Sequence, residues 1–322
     1  MVGVIKTDQI KCYDVDGRVM DCSGSGQDGE MRFGIEWPVP RFEEREGVAI
    51  DRLSGLVWTQ DAGLTDFPQT WREALDFVEK MNNEATFGYR NWHLPSRREL
   101  FSLVSHDCIN PALPVGTPFK NVFAGYYWTA TTCSRLKDQA WYIHLGGGRV
   151  FRGMKYGSYM VWPVCCHPND HAPVSAGGRR ADATSKSRCS HAGRYVINNG
   201  VVYDRLTGLG WAKMDALPSN TLNWAGALDF IRSMNAASVY GHVDWRLPNV
   251  RELESLIDLQ RSTPGLSDDH PLGQIPEGCW SSTTSVYEPR YAWVVYMQDG
   301  AVGVGYKKYA DFHVWAVRSG IT

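Results

Sequence analysis

The chain has no apolar run near the ~20 residues that a membrane-spanning helix requires, so no helical span is expected. It has no surplus of charge of either sign: 33 Lys and Arg stand against 35 Asp and Glu, a net −2. Binding nucleic acid through phosphate neutralisation needs a concentrated excess of cations, so that partner class is not expected. No Cys-x-x-Cys occurs, which removes the usual clip for structural zinc. His167 and His171 lie beside Cys165 and Cys166, but at a spacing that fits no common zinc pattern. No Gly-x-Ser-x-Gly, His-Glu-x-x-His or P-loop string occurs, and no cofactor is expected. The opening MVGVIKTDQIKC has no signal-peptide core.

Cysteine and tryptophan, by contrast, are plentiful. Eight cysteines fit disulfides formed in an oxidising compartment, which gives an extracellular or cell-surface location with the leader not in this sequence. An intracellular chain is the alternative. Cys12 and Cys22 bracket an Asp-Gly centre that reads as a hairpin turn, so a bridge across its base is geometrically reasonable. Cys165, Cys166 and Cys189 are further disulfide candidates whose connectivity the sequence does not fix. Thirteen Trp among 322 residues must be accounted for by a core or by a binding face.

The chain also repeats itself. Asp51-Arg52-Leu53-Ser54-Gly55-Leu56 matches Asp204-Arg205-Leu206-Thr207-Gly208-Leu209, and the same spacing relates Trp58 to Trp211, Trp71 to Trp224 and Met81-Asn82 to Met234-Asn235. WHLPSRREL at 92–100 matches WRLPNVREL at 245–253. One deletion later, Trp128 pairs with Trp280 and Ala140-Trp141 with Ala292-Trp293. The duplication predicts an N-terminal hairpin arm over 1–35, one domain over 36–166, a Pro/Gly/Ser-rich linker over 167–189 and a second domain over 190–322.

Within a copy, TWREALDFVEKMNN has one apolar stripe at helical spacing, with Thr70 and Glu73 as a capping box. Leu-Pro holds the chain extended, and Ser96 with Glu99, or Asn249 with Glu252, opens a second helix. YYWTATT and CWSSTT read as half-exposed strands, AWYIHLGGGRVF and AWVVYMQDGAVG as hairpins, and VWPV and VWAV as buried closing strands. That order indicates an α+β class.

DRLSGLVW, WHLPSRREL, YWTATT, the Ala-Trp before a Gly turn and the terminal VWPV, each with its second copy, resemble the C-terminal domain of the Legionella collagen-like adhesin. The resemblance implies two tandem C-type-lectin-like domains, each with two helices packed on a twisted antiparallel sheet. It also implies an extracellular or surface-attached protein of a family whose naming adhesin binds sulfated polysaccharide, and it admits a diversified variable protein. Fold does not give function, so the site needs its own argument.

Calcium-dependent C-type lectins coordinate their sugar through Glu-Pro-Asn; here Glu288-Pro289-Arg290 puts a cation where a ligand oxygen is needed, so no metal site is expected. With a strand period of two, Tyr142 and His144 face away from Trp141 and differ from Val294 and Tyr296 in the other copy. Past the turn, Arg149 and Arg152 differ from Ala301 and Val304. Tyr287, Arg290, Tyr291 and Tyr296 are expected to give the second copy an amphipathic patch. The expected function is therefore non-enzymatic adhesion to a protein or polysaccharide ligand through hairpins and adjacent loops. Two alternatives stand beside it. GGGRVFRGMKYG followed by Cys165 and Cys166 faintly resembles the formylglycine-generating enzymes, and a homo-oligomeric surface filament would use the arm and outward strands for assembly.

Overall fold

The computed structural model describes residues 3–166 and 193–320. Within them, 3–35 join 193–320 in one compact unit, and 36–166 make the other. The predicted linker and Cys189 lie outside the described residues.

Residues 3–35 form the arm. Strands β1 (Cys12–Tyr13) and β2 (Val19–Met20) pair antiparallel, and a short helix α1 (Asp28–Met31) follows. Asp14 turns the hairpin by accepting from the backbone N–H groups of Asp16 and Arg18 through Oδ1. The Cys12–Cys22 disulfide closes its base.

In the first repeat, β3 (Phe42–Arg45), β4 (Val48–Asp51) and β5 (Leu56–Thr59) make an antiparallel meander. A two-stranded ribbon, β6 (Gln69–Thr70) with β10 (Ser158–Tyr159), flanks helix α2 (Trp71–Asn83). Helix α3 (Arg97–Leu103) comes next, then the sheet β7 (Tyr126–Thr132), β8 (Gln139–His144) and β9 (Arg149–Met154), and β11 (Val164–Cys166) returns to pair with β5. The second repeat follows the same plan. Strands β12 (Tyr195–Asn198), β13 (Val201–Asp204) and β14 (Leu209–Ala212) precede α4 (Trp224–Ala236) and α5 (Val250–Ser255). Then β15 (Gly278–Thr284), β16 (Tyr291–Tyr296) and β17 (Val302–Tyr306) form a sheet, and β18 (Val317–Ser319) closes on β14. The class is α+β, two helices with antiparallel sheets, built twice.

The duplicated strings are scaffold. Asp51 is fully buried and accepts a two-pronged contact from Arg41 at 3.0 and 2.8 Å, with Leu53 N and Ser54 Oγ as further donors. Asp204 does the same with Arg194, Leu206 N and Thr207 Oγ1. The carboxylate thus folds the D-R-L-x-G-L turn around itself, and the paired geometry offsets the cost of burying charge. Asn82 grips the peptide of Trp92 from both sides, donating to its carbonyl and accepting from its N–H, and Asn235 grips Trp245 likewise. Full capping boxes start α2, α3 and α5. Glycine is required at Gly47 (φ +74) and Gly200 (φ +81), where a Cβ would collide with the rings of Phe87 and Tyr240.

Three expectations change. VWPV and VWAV are buried as predicted, but only Val164 and Val317 enter the ladder, because strand pairing starts at the last residue of each string. CWSSTT is not half-exposed: every residue of β15 is buried. At Thr283 and Thr284 the cause is the third change, since the arm belongs to the second repeat's unit and covers those two residues. Gln9 donates to Thr284 O and accepts from Thr284 N, both at 2.8 Å, while Asp28 accepts from Thr283 Oγ1 and Thr7 Oγ1, both at 2.7 Å.

Candidate functional site

Eleven of the thirteen tryptophans are buried, leaving only Trp37 and Trp71 partly accessible. Tryptophan is therefore core material here, and any aromatic binding face must be built from other rings.

That face lies on the first repeat. The β7–β8 register sets Tyr126 opposite His144 and Trp128 opposite Tyr142, and the β10 strand brings in Tyr159. Ring centroids are 4.9 Å apart for Tyr126 and Tyr142, 4.7 Å for Tyr126 and His144, 5.3 Å for Tyr126 and Tyr159, and 4.9 Å for Tyr142 and Tyr159. Edge-on and tilted packing at these separations locks the cluster internally. Behind it, Tyr159 rests on buried Trp128 at 4.4 Å. Tyr126 is the most open member, at 43% exposure.

The electrostatics keep the cluster neutral. Burial pushes the Tyr142 hydroxyl up to about 12, reinforced by Tyr159 and Tyr126. Burial holds His144 below the usual imidazole range, and the nearby Arg149 guanidinium adds to the effect. Near neutral pH the face presents phenol hydroxyls and a neutral imidazole, each both donor and acceptor.

A cleft adjoins the cluster. Its volume is about 550 Å³, and it is lined by Asp61, Gly63, Asp66, Asn121, Phe123 and Met160 among others. Met160 joins the two features, since its backbone N–H donates to Tyr126 O at 2.9 Å. Asn121 donates to Asp61 Oδ2 at 3.0 Å, and Asp61 Oδ1 accepts from Gly63 N, which fixes that carboxylate at the cleft wall. Phe123, 55% exposed, is a further open ring on the rim.

Of the residues singled out in the sequence, Tyr142 and His144 fall in this cluster. Arg149 stands exposed opposite His144, and Arg152 lies 5.8 Å from the Trp141 ring centroid and 5.0 Å from that of Phe151. Tyr126, Tyr159, Asp61 and Asn121 were not singled out. Tyr126 was within reach, since in YYWTATT it shares the face of Trp128 at the strand period. The others come together only through long-range pairing.

The expected patch on the second repeat is not one surface. Tyr291 and Tyr296 sit at opposite ends of β16, about 17 Å apart at the usual rise per residue. Tyr291 packs on Tyr306 at 5.3 Å, and Tyr296 on Phe312 at 5.9 Å. Tyr287 is 57% exposed, and Arg290 is bound to its neighbour Glu288 at 2.9 Å. The same ion pair occupies Glu288, the carboxylate that a lectin calcium site would need. Among the described residues no cluster of His, Cys, Asp and Glu is arranged to hold a metal.

Cys165 is fully buried among Val57, Trp92 and Met81 and bears a free thiol, which corrects its candidacy for a bridge. Burial pushes that thiol far up, away from the thiolate that a nucleophile needs. Cys166 follows it in β11 and accepts from Asn91 through its carbonyl. No helix among the described residues is long and apolar enough to cross a membrane.

A comparison with curated proteins finds no match to the chain. The family model described as the Lcl C-terminal domain matches residues 47–165 and again 200–318, leaving the arm outside both matches. With its two copies together spanning most of the sequence, the chain belongs to the Lcl C-terminal domain family.

Proposed function

We propose that the protein is a non-enzymatic adhesin-like module, extracellular or at the cell surface, that binds a glycan on the tyrosine face of its first C-type-lectin-like repeat. One observation carries this: Tyr126, Tyr142, Tyr159 and His144 form a neutral aromatic platform beside a cleft walled by Asp61, Asp66 and Asn121. Sugar rings offer C–H faces that pack on aromatic rings and hydroxyls that pair with carboxylates and amides. The carboxylates favour a neutral, hydroxyl-rich sugar and repel sulfates. In the second repeat Gly278 and Val294 replace Tyr126 and Tyr142, so two of the four rings are missing there and Tyr296 and Phe312 remain. The buried, proton-retaining Cys165 supports the non-enzymatic reading over a cysteine-based oxidation.

Screening the intact protein on a glycan array and measuring hits by calorimetry tests the reading. Tyr126→Ala is expected to weaken a neutral-glycan hit by about tenfold or more, as for an interface anchor, while leaving the unfolding midpoint within a few degrees. Neutral-glycan binding that is indifferent to Tyr126→Ala, or capture of sulfated glycans alone, would reject the platform.

A further inference from the structure

The duplication gives two copies of one face, and the arm fills only one of them. In the second repeat Thr283 and Thr284 are wholly buried beneath the arm, as is Lys307. Thr283 Oγ1 donates to the Asp28 carboxylate, and the Gln9 amide reads the Thr284 peptide in both directions. Lys307 Nζ donates to the carbonyls of Tyr13 and Asp14 at 3.3 and 3.2 Å while lying 4.1 Å above the Trp224 ring. The contact is polar, directional and built on main chain.

The first repeat retains the receiving groups in the same geometry. Thr131 Oγ1 accepts from Arg97 N at 3.0 Å, as Thr283 Oγ1 accepts from Val250 N at 3.1 Å. Trp71 N donates to Lys155 O at 3.0 Å, as Trp224 N donates to Lys307 O at 3.1 Å. Lys155 Nζ lies 4.2 Å above the Trp71 ring, close to the 4.1 Å of its counterpart. Both sheets break register at the same place, between Trp128 and Thr132 and between Trp280 and Thr284. What differs is cover: Thr131, Thr132, Lys155 and Trp71 are all partly open to solvent.

We propose that this open face of the first repeat is a docking site for a partner protein, which it binds as an extended segment bearing a carboxylate side chain. The occupant's chemistry is read from the filled copy. A carboxylate accepts from the Thr131 hydroxyl, and main-chain carbonyls accept from the Lys155 ammonium above Trp71. A partner, rather than a second copy of the chain, is favoured by stoichiometry. Each chain carries one arm, already committed to its own second repeat by a tether that gives it a high effective concentration there.

The probe is a labelled peptide of residues 3–35 with its Cys12–Cys22 bridge closed, titrated by fluorescence anisotropy against the full chain. Saturable one-to-one binding is expected, and Lys155→Met in the chain should weaken it by about tenfold or more. Thr131→Val should act in the same direction. Asp28→Ala in the peptide should weaken binding equally, and that variant leaves the folded chain untouched. No saturable binding, or binding indifferent to Lys155→Met and to the peptide substitution, would overturn the proposal. Self-association of the full chain that the peptide competes away would overturn it too, by making the occupant a second copy.

Discussion

Asp28 sits at 1% exposure, and its carboxylate accepts from the hydroxyls of Thr7 and Thr283. Burial pushes its carboxyl up to about 6, against the opposing hydrogen bonds from Thr283 and Thr7; Glu252 adds to the rise and Arg246 opposes it. Because the folded pKa is raised, the folded chain holds more protons than the unfolded one between about 4 and 6. Its contribution is complete below that window and is lost as pH rises through it, by an amount on the order of 3 kcal/mol. Asp28→Asn should abolish this slope. Urea denaturation at several pH values from 4 to 7 checks it, and a wild-type-minus-variant difference that stays flat with pH would refute it. Lys307 titrates in a separate window, since burial lowers its ammonium to about 7 against a weaker pull from Asp14. There the unfolded chain holds more protons, so stability rises with pH from about 7 towards 10.5. Neither residue was legible in the sequence, because Asp28 meets Thr283 across 255 positions and Lys307 meets Tyr13 across 294.

Elements were far more legible, and the reason is locality. A capping box is four residues long and a helical stripe a dozen, so α2, α3 and α5 could be read from Thr70, Ser96 and Asn249 with their partners. The β8–β9 and β16–β17 hairpins followed from alternation and from glycine turns. Sites assembled from several elements were legible only in part: alternation found Tyr142 and His144 and put Tyr126 within reach, but Tyr159 required knowing which strands pair. Grouping Tyr291 with Tyr296 failed because adjacency in sequence becomes separation along a strand. The arm hairpin is the element whose stability rests most on a covalent link. Closing so short a loop is worth about 2.5 kcal/mol in chain entropy. Replacing both Cys12 and Cys22 with Ser should therefore loosen the seat of the arm by that order. It would appear as faster amide exchange at Tyr13, whose N–H donates to Gln27 Oε1 at 2.9 Å. Unchanged exchange there would mean that packing alone holds the arm.

At the scale of the whole molecule, duplication supplies an internal control that most proteins lack. Thr284 pairs with Ala292 as Thr132 pairs with Ala140, at the same bulge in the same register. Thr284 N donates to Gln9 Oε1, so it points away from β16, and the matching register turns Thr132 N away from β8 in the same sense. One amide is sealed by the arm, whereas its twin sits in a half-open residue with no counterpart of Gln9 among the described residues. Exchange protection follows hydrogen bonding and local opening rather than sequence. In the intact protein Thr284 should exchange orders of magnitude more slowly than Thr132. Gln9→Ala breaks the seal at one point and should bring Thr284 towards the rate of Thr132, while leaving the buried ladder amides of β16 slow. Hydrogen exchange followed by NMR resolves both amides in one sample. If they exchange alike in the wild type, the arm does not seal its own face, and the contrast between a filled and an open copy loses its basis.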